Sequence, residues 1–278
     1  PDELPIIVKQ DLQIVISTAI QFKQLIKAKL DQPINIWIKA DTGMHRLGFN
    51  PKDIASIYQL AKENTNIADP IRLMSHLACA DDLDSDATKQ QVMMFSNLVK
   101  ELKIEEASLA NSAGILGWSE TYFDWVRPGI MLYGASPFPD SVAGDDDLQP
   151  VMQLESQLIS VKRCYEGDAV GYGATWVCPH TMPIGVVAIG YADGYPRHAP
   201  IGTPVLVNGK RVPLVGRVSM DMITVDLRNQ PNARVGDPVL LWGADLPAEE
   251  IASLSGTIAY ELFCNLGSRV RKESFNKL

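Results

Sequence analysis

A change of hydrophobic period near the middle of the chain constrains its fold more than any other feature. In the first half, short apolar runs alternate with stretches of helical spacing. Ile34 to Ile38 reads as a strand, and Ile54, Ile57, Tyr58 and Ala61 then share one helical face. Asn50 ahead of Pro51 supplies an N-cap and a first-turn residue for that helix. Leu73 to Leu77, followed by Val92, Phe95, Val99 and Leu102, repeats the unit. Ile14 to Ile16 opens the series before a helix over about 18–30, and Glu106 to Ala110 and Trp125 to Tyr133 bring it to about five strands. Strands alternating with helices predict a parallel sheet, either doubly wound or closed into a (β/α)8 barrel.

From about Leu148 the texture becomes valine, isoleucine and threonine runs broken by glycine and proline. Val205 to Val207 and Val212 to Val215 flank Asn208-Gly209, a strong hairpin signal. The second half is therefore expected to be mainly β, with one late helix around 247–255. The stretch from Pro137 to Asp147, rich in Pro, Gly, Asp and Ser, marks a boundary between domains at 1–137 and 148–278. A chain of 278 residues is long enough for one large α/β domain and a smaller β domain.

A formal charge of −8 argues against nonspecific binding to nucleic acid or an anionic membrane, so a small-molecule partner is expected. No apolar run approaches the roughly 18–20 residues needed to cross a bilayer. Cys79, Cys164, Cys178 and Cys264 are too scattered to suggest a zinc site or a disulfide framework, which favours reduced thiols and a cytoplasmic setting.

The residues that could carry chemistry follow the predicted strands. Lys39-Ala40-Asp41-Thr42-Gly43-Met44-His45-Arg46 ends one strand and His76 ends another. In a barrel, strand C-termini line the active site, so Lys39, Arg46 and His76 would face a ligand. Asn111-Ser112-Ala113-Gly114 and Arg127-Pro128-Gly129-Ile130 offer backbone N–H groups for a phosphate and an arginine for an anion or ring nitrogen. In the β half, glycines flank Tyr172, and Tyr191, Met220 and Asp221 lie in further glycine-bounded turns. Taken singly, these segments read more readily as structural turns and packing residues than as a site.

Taken together and in order, IKADTGMHRLGF, SHLACADD, LANSAG, VRPGIMLYGASP, GYGATW, IGYADGYPRHAP, GRVSMDM and IAYELFCNLGSRV resemble the motifs of the alanine racemases, from about residue 34 onward. The resemblance implies an N-terminal (β/α)8 barrel carrying pyridoxal 5'-phosphate (PLP), a C-terminal β domain, and a head-to-tail homodimer with shared active sites. The implied reaction interconverts L- and D-alanine, supplying D-alanine for peptidoglycan or for alanine catabolism. A Schiff base between alanine and PLP acidifies the Cα proton, and racemisation then needs a base on each face of the planar carbanion.

On this pattern Tyr172 is one base, His76 holds it, and Arg127 contacts His76 and the pyridine nitrogen. A phenol ordinarily titrates near 10, so a cationic His–Arg environment is what would make it a base near neutral pH. A cation at the pyridine nitrogen would also leave it unprotonated and favour racemisation over transamination. Arg46 matches the residue that binds the substrate carboxylate, and Lys39 matches a lysine that is carbamylated in many members and holds that arginine. Ser112, the backbone of Gly129 and Ile130, and Tyr260 match the phosphate cradle. Met220, Asp221 and Tyr191 match substrate-side residues from the partner subunit.

One motif of the family has no counterpart in these residues: the early segment close to VKANAYGHG with the cofactor-binding lysine. The neighbours of Lys39 identify it with the later motif, so that role is not transferred to it. The expectation is that about three βα units and this lysine precede Pro1, and that these 278 residues alone would neither absorb as a PLP adduct nor racemise alanine. The alternatives are a noncatalytic truncated remnant and a racemase of broader specificity.

Overall fold

Parallel pairing in the first half follows from its strand–helix alternation, because a parallel neighbour can be reached only through a crossover. The computed structural model describes residues 2–274. The chain divides between Gly129 and Ile130 into two compact units.

The first unit runs α1 (Leu4–Lys9), β1 (Ile14–Ile16), α2 (Ala19–Lys27), β2 (Ile36–Lys39), α3 (Pro51–Lys62), β3 (Arg72–Met74), α4 (Asp86–Leu102), β4 (Ala107–Ser108) and α5 (Ser112–Gly117). Among the described residues the strands form one parallel sheet in the order β1-β2-β3-β4. Ile36, Ile38, Leu73, Ala107 and Leu109 are buried, as are Leu25 of α2, Ile54 of α3 and Phe95 of α4. Phe95 packs edge-on to Phe123 with ring centroids 5.0 Å apart, a favoured aromatic geometry. Asn50 caps α3 by accepting from the Lys52 N–H at 3.0 Å, and Pro51 occupies its first turn.

Two expectations need correction. Trp125 to Tyr133 is not a strand: Trp125 makes a single parallel bridge to Ser108, and residues 130–133 form a 3₁₀ turn. Pro128 lacks an N–H and Gly129 weakens extended structure, which together stop the pairing after Arg127. Helix α4 buries Thr88, Gln91, Phe95 and Leu98 rather than the whole Val92, Phe95, Val99, Leu102 row. Its inward face is rotated by about one residue because a polar side chain, Gln91, has partners inside.

The second unit is a closed antiparallel barrel built from β5 (Leu154–Cys164), β8 (Met182–Val187), β9 (Pro204–Val207), β10 (Lys210–Val215), β11 (Ile223–Asp226) and β12 (Pro238–Trp242) in the order β10-β11-β8-β5-β12-β9. Closure leaves no unpaired sheet edge. The Asn208-Gly209 turn joins β9 to β10 with φ of 51° and 73°, the left-handed pair that a type I′ hairpin requires. Val205, Val207, Leu214, Val225, Val239 and Trp242 fill the barrel. A small hairpin of β6 (Ala169–Val170) and β7 (Trp176–Val177) projects from it, and α6 (Ala248–Leu254) and α7 (Ala259–Cys264) follow. Helix α6 meets the expectation for 247–255, whereas α7 had no sequence signal beyond six residues, too few to show a period. Among the described residues, no helix is long and apolar enough to cross a membrane.

Candidate functional site

In the first unit the singled-out residues gather where β2, β3 and β4 end. Lys39 is the last residue of β2. The loop that follows is pinned at its base, since Asp41 N–H donates to Phe49 O at 2.9 Å and Phe49 N–H to Lys39 O at 2.8 Å. Asp41 Oδ1 accepts from the N–H groups of Gly43 and His45 at 3.2 and 2.9 Å, shaping the turn that presents the exposed Arg46. Gly48, with φ of 128°, lets the returning chain lie against this strand end: a Cβ there would come within 2.8 Å of Asp41 N.

His76 follows β3 and is partly buried. Burial first, then the charges of Arg127, Lys39 and Arg46, depress its pKa to about 4. The imidazole is therefore neutral near pH 7. The positive charge acting on His76 comes from Arg127, Lys39 and Arg46. Arg127, next to β4, donates to Ser108 Oγ and Ser75 O, both at 2.5 Å, and to Leu109 O at 3.3 Å. Burial lowers its pKa to about 10, which keeps it charged. Lys39 is also lowered, by burial and then by Arg127 and Arg46, with Asp41 opposing.

Ser112 is buried at the start of α5, and its Oγ accepts from the Gly129 N–H at 2.8 Å. Asn111 caps the helix by accepting from the Gly114 N–H at 2.9 Å. Arg127 and Arg46 beside His76, with Ser112 buried at the start of α5, form a positively charged, polar set that suits an anionic, phosphate-bearing group such as PLP.

In the second unit, Tyr172 sits in a turn between Gly171 and Gly173, both at positive φ, and is 70% exposed. Tyr191 and Met220 are brought together by backbone pairing: Tyr191 N–H donates to Ser219 O at 3.1 Å and Ala192 N–H to Met220 O at 2.9 Å. Gly190 permits this approach, because a Cβ there would collide with the Met220 carbonyl. Asp221 is held by Arg269 at 2.6 Å, and Arg269 also reaches Asp193 at 3.3 Å. Tyr260 is exposed on α7, while Ile130 is buried in the core of this unit.

Sequence reasoning missed Ser75, Ser108 and Arg269. The first two act through a carbonyl and a hydroxyl that nothing in composition distinguishes, whereas Arg269 lies within the quoted IAYELFCNLGSRV motif.

Comparison with known proteins agrees with the motif order. The family model described as alanine racemase, N-terminal domain matches residues 1–137, and that described as alanine racemase, C-terminal domain matches residues 151–274. The alanine racemase of Halorhodospira halophila is 50% identical over 272 residues, covering 98% of this chain and 74% of that protein. An alanine racemase of Vibrio vulnificus is 49% identical, covering 96% and 75%. The biosynthetic alanine racemase of Pseudomonas aeruginosa superposes with a TM-score of 0.93 at 46% identity, covering 97% of this chain and 75% of that one. The alanine racemase of Bartonella henselae, solved with covalently bound pyridoxal phosphate, gives a TM-score of 0.84 at 29% identity, covering 96% and 74%. These likenesses identify the parallel sheet as part of the family's N-terminal barrel, and they lend no support to a noncatalytic remnant or a broader racemase. By sequence, by motif order and by fold, this chain belongs to the alanine racemase family.

Proposed function

We propose that this protein interconverts L- and D-alanine, with PLP as its cofactor. The observation that carries the reading is the positive field of Arg127 and Arg46 beside His76 at the ends of β2, β3 and β4. Such a field attracts both a phosphate-bearing cofactor and a substrate carboxylate.

When bound, PLP supplies the electron sink that makes the alanine Cα–H acidic. The phosphate would be held by Ser112, the backbone at Gly129 and Ile130, and Tyr260. Arg127, charged and fixed by Ser75 O, Leu109 O and Ser108 Oγ, would face the pyridine ring. Arg46 would bind the substrate carboxylate. Tyr172, exposed between two glycines, would exchange the Cα proton, with His76 holding it. Tyr191, Met220 and Asp221 would limit the substrate side chain to about a methyl group.

A homodimer, with Tyr172, Tyr191, Met220 and Asp221 serving the partner's cofactor, accords with the exposure of that tyrosine. The functional division is 1–137 for the cofactor barrel and 148–278 for the β domain. Four free cysteines favour a cytoplasmic setting. Lys39 is a candidate for carbamylation: its lowered pKa enlarges the neutral amine fraction that adds to carbon dioxide, releasing a proton. The carbamate would then accept from Arg46.

The test uses the natural polypeptide loaded with PLP, following D-alanine formed from L-alanine by chiral separation. Tyr172→Phe and Arg127→Ala should each slow the reaction on the order of 100-fold or more. An inactive wild-type protein, or an unchanged rate in Tyr172→Phe, would overturn the reading.

A further inference from the structure

Helix α4 sends an uncharged polar side chain into the interior of the first unit. Gln91 is 3% exposed, and both its amide hydrogens and its carbonyl oxygen are engaged. Oε1 accepts from the Ala78 N–H at 2.8 Å, while Nε2 donates to His76 O at 2.9 Å and to Thr42 Oγ1 at 3.2 Å. The amide cannot be reversed, since Oε1 would then oppose the His76 carbonyl and Nε2 the Ala78 N–H.

The bonds extend further. Ser75 gives its hydroxyl proton to Ala40 O at 2.8 Å, so Thr42 donates to Ser75 Oγ at 2.7 Å and keeps its oxygen for Gln91. The result is one directed chain from Gln91 through Thr42 and Ser75 to the end of β2. It joins two segments that are far apart in sequence, the loop after β2 that carries Arg46 and the segment after β3 that carries His76. Gly43 adds a steric link: with φ of 144°, it brings the loop onto the Gln91 stem, where a Cβ would come within 3.2 Å of Gln91 Cγ.

We propose that Gln91 is a positioning residue for the racemase site, fixing the His76 segment and the Arg46 loop relative to each other. The inference rests on the alanine racemase reading above. Gln91 acts through the backbone of His76 and Ala78 and the hydroxyl of Thr42. Two variants separate its bonds. Gln91→Met fills similar space and loses all three. Thr42→Val loses the link from Gln91 to the Arg46 loop, together with Thr42's own bond to Ser75, and leaves the bonds to His76 and Ala78.

The experiment takes the natural polypeptide loaded with PLP and measures kcat and KM for alanine, with amide hydrogen exchange on the same samples. Gln91→Met should lower kcat/KM by roughly 100-fold, the scale of a site displaced by about 1 Å. Both a higher KM, through Arg46, and a lower kcat, through His76, should contribute. Thr42→Val should act mainly on KM. The Ala78 amide should exchange slowly in the wild type and faster in Gln91→Met. A folded Gln91→Met enzyme with wild-type constants, or one that only melts earlier, overturns the proposal. Should Gln91→Met fail to fold, Thr42→Val and the wild-type exchange decide: rapid exchange at Ala78, or an unaltered KM in Thr42→Val, overturns it. Slow exchange at Ala78 in a wild-type protein that does not racemise alanine would instead overturn the racemase reading.

Discussion

Lowering the pH should destabilise this protein through His76, and the size of the effect can be worked from its surroundings. Burial and the charges of Arg127, Lys39 and Arg46 hold the folded-state pKa at about 4, against an ordinary value of 6.5. The unfolded chain therefore takes up a proton at a higher pH than the folded one. Stability from the neutral imidazole is fully present above pH 6.5, declines as the pH falls below it, and is lost once the pH passes below about 4. Integrating the proton uptake gives about 2 kcal/mol lost between pH 7 and pH 5, and about 3 kcal/mol by pH 4. Carboxylates titrate in the lower part of this window, so the useful quantity is a difference. Urea unfolding of the wild type and of His76→Gln, at pH 7 and pH 5, should show a pH dependence about 2 kcal/mol shallower in the variant. Equal pH dependence in the two proteins would refute both the neutral imidazole and the cationic cluster invoked to explain it.

Three further outcomes are expected. Phe95→Ala removes a wholly buried ring stacked edge-on to Phe123 and should destabilise the first unit by about 3–5 kcal/mol in chemical denaturation. Burial, followed by the neighbouring Cys164 thiol, pushes the Cys178 thiol up, so in native protein a thiol reagent should label the exposed Cys264 well before Cys178; equal rates would contradict that placement. If Lys39 is carbamylated, isotopically labelled bicarbonate should give one carbamate carbon resonance that disappears in Lys39→Ala, and its absence from the wild type would remove Lys39 from that role.

Much of the architecture was legible because local rules and tertiary packing agreed. Asn50-Pro51 began α3 as its capping chemistry requires, and Asn208-Gly209 turned β9 into β10 because both residues tolerate positive φ. Where the two levels disagreed, the reading failed. Trp125 to Tyr133 is apolar enough for a strand, yet Pro128 and Gly129 interrupt it after one bridge. Gln91 lies on a helix whose apolar residues set the visible period, so a glutamine there reads as solvent-facing, and only its burial and its three hydrogen-bond partners reveal otherwise.

The sequence alone determined the two-part organisation, the motif order and the residue types available for chemistry, because these depend on period, turn chemistry and local spacing. Tertiary structure alone decided the charge state of His76, the anchoring of Arg127 by Ser75 and Ser108, and the grip of Gln91 on two distant loops. Each of these depends on burial and on groups remote along the chain. A histidine's pKa follows the field and the solvent around it, and neither exists until the strands that end at Lys39, His76 and Arg127 have been brought side by side.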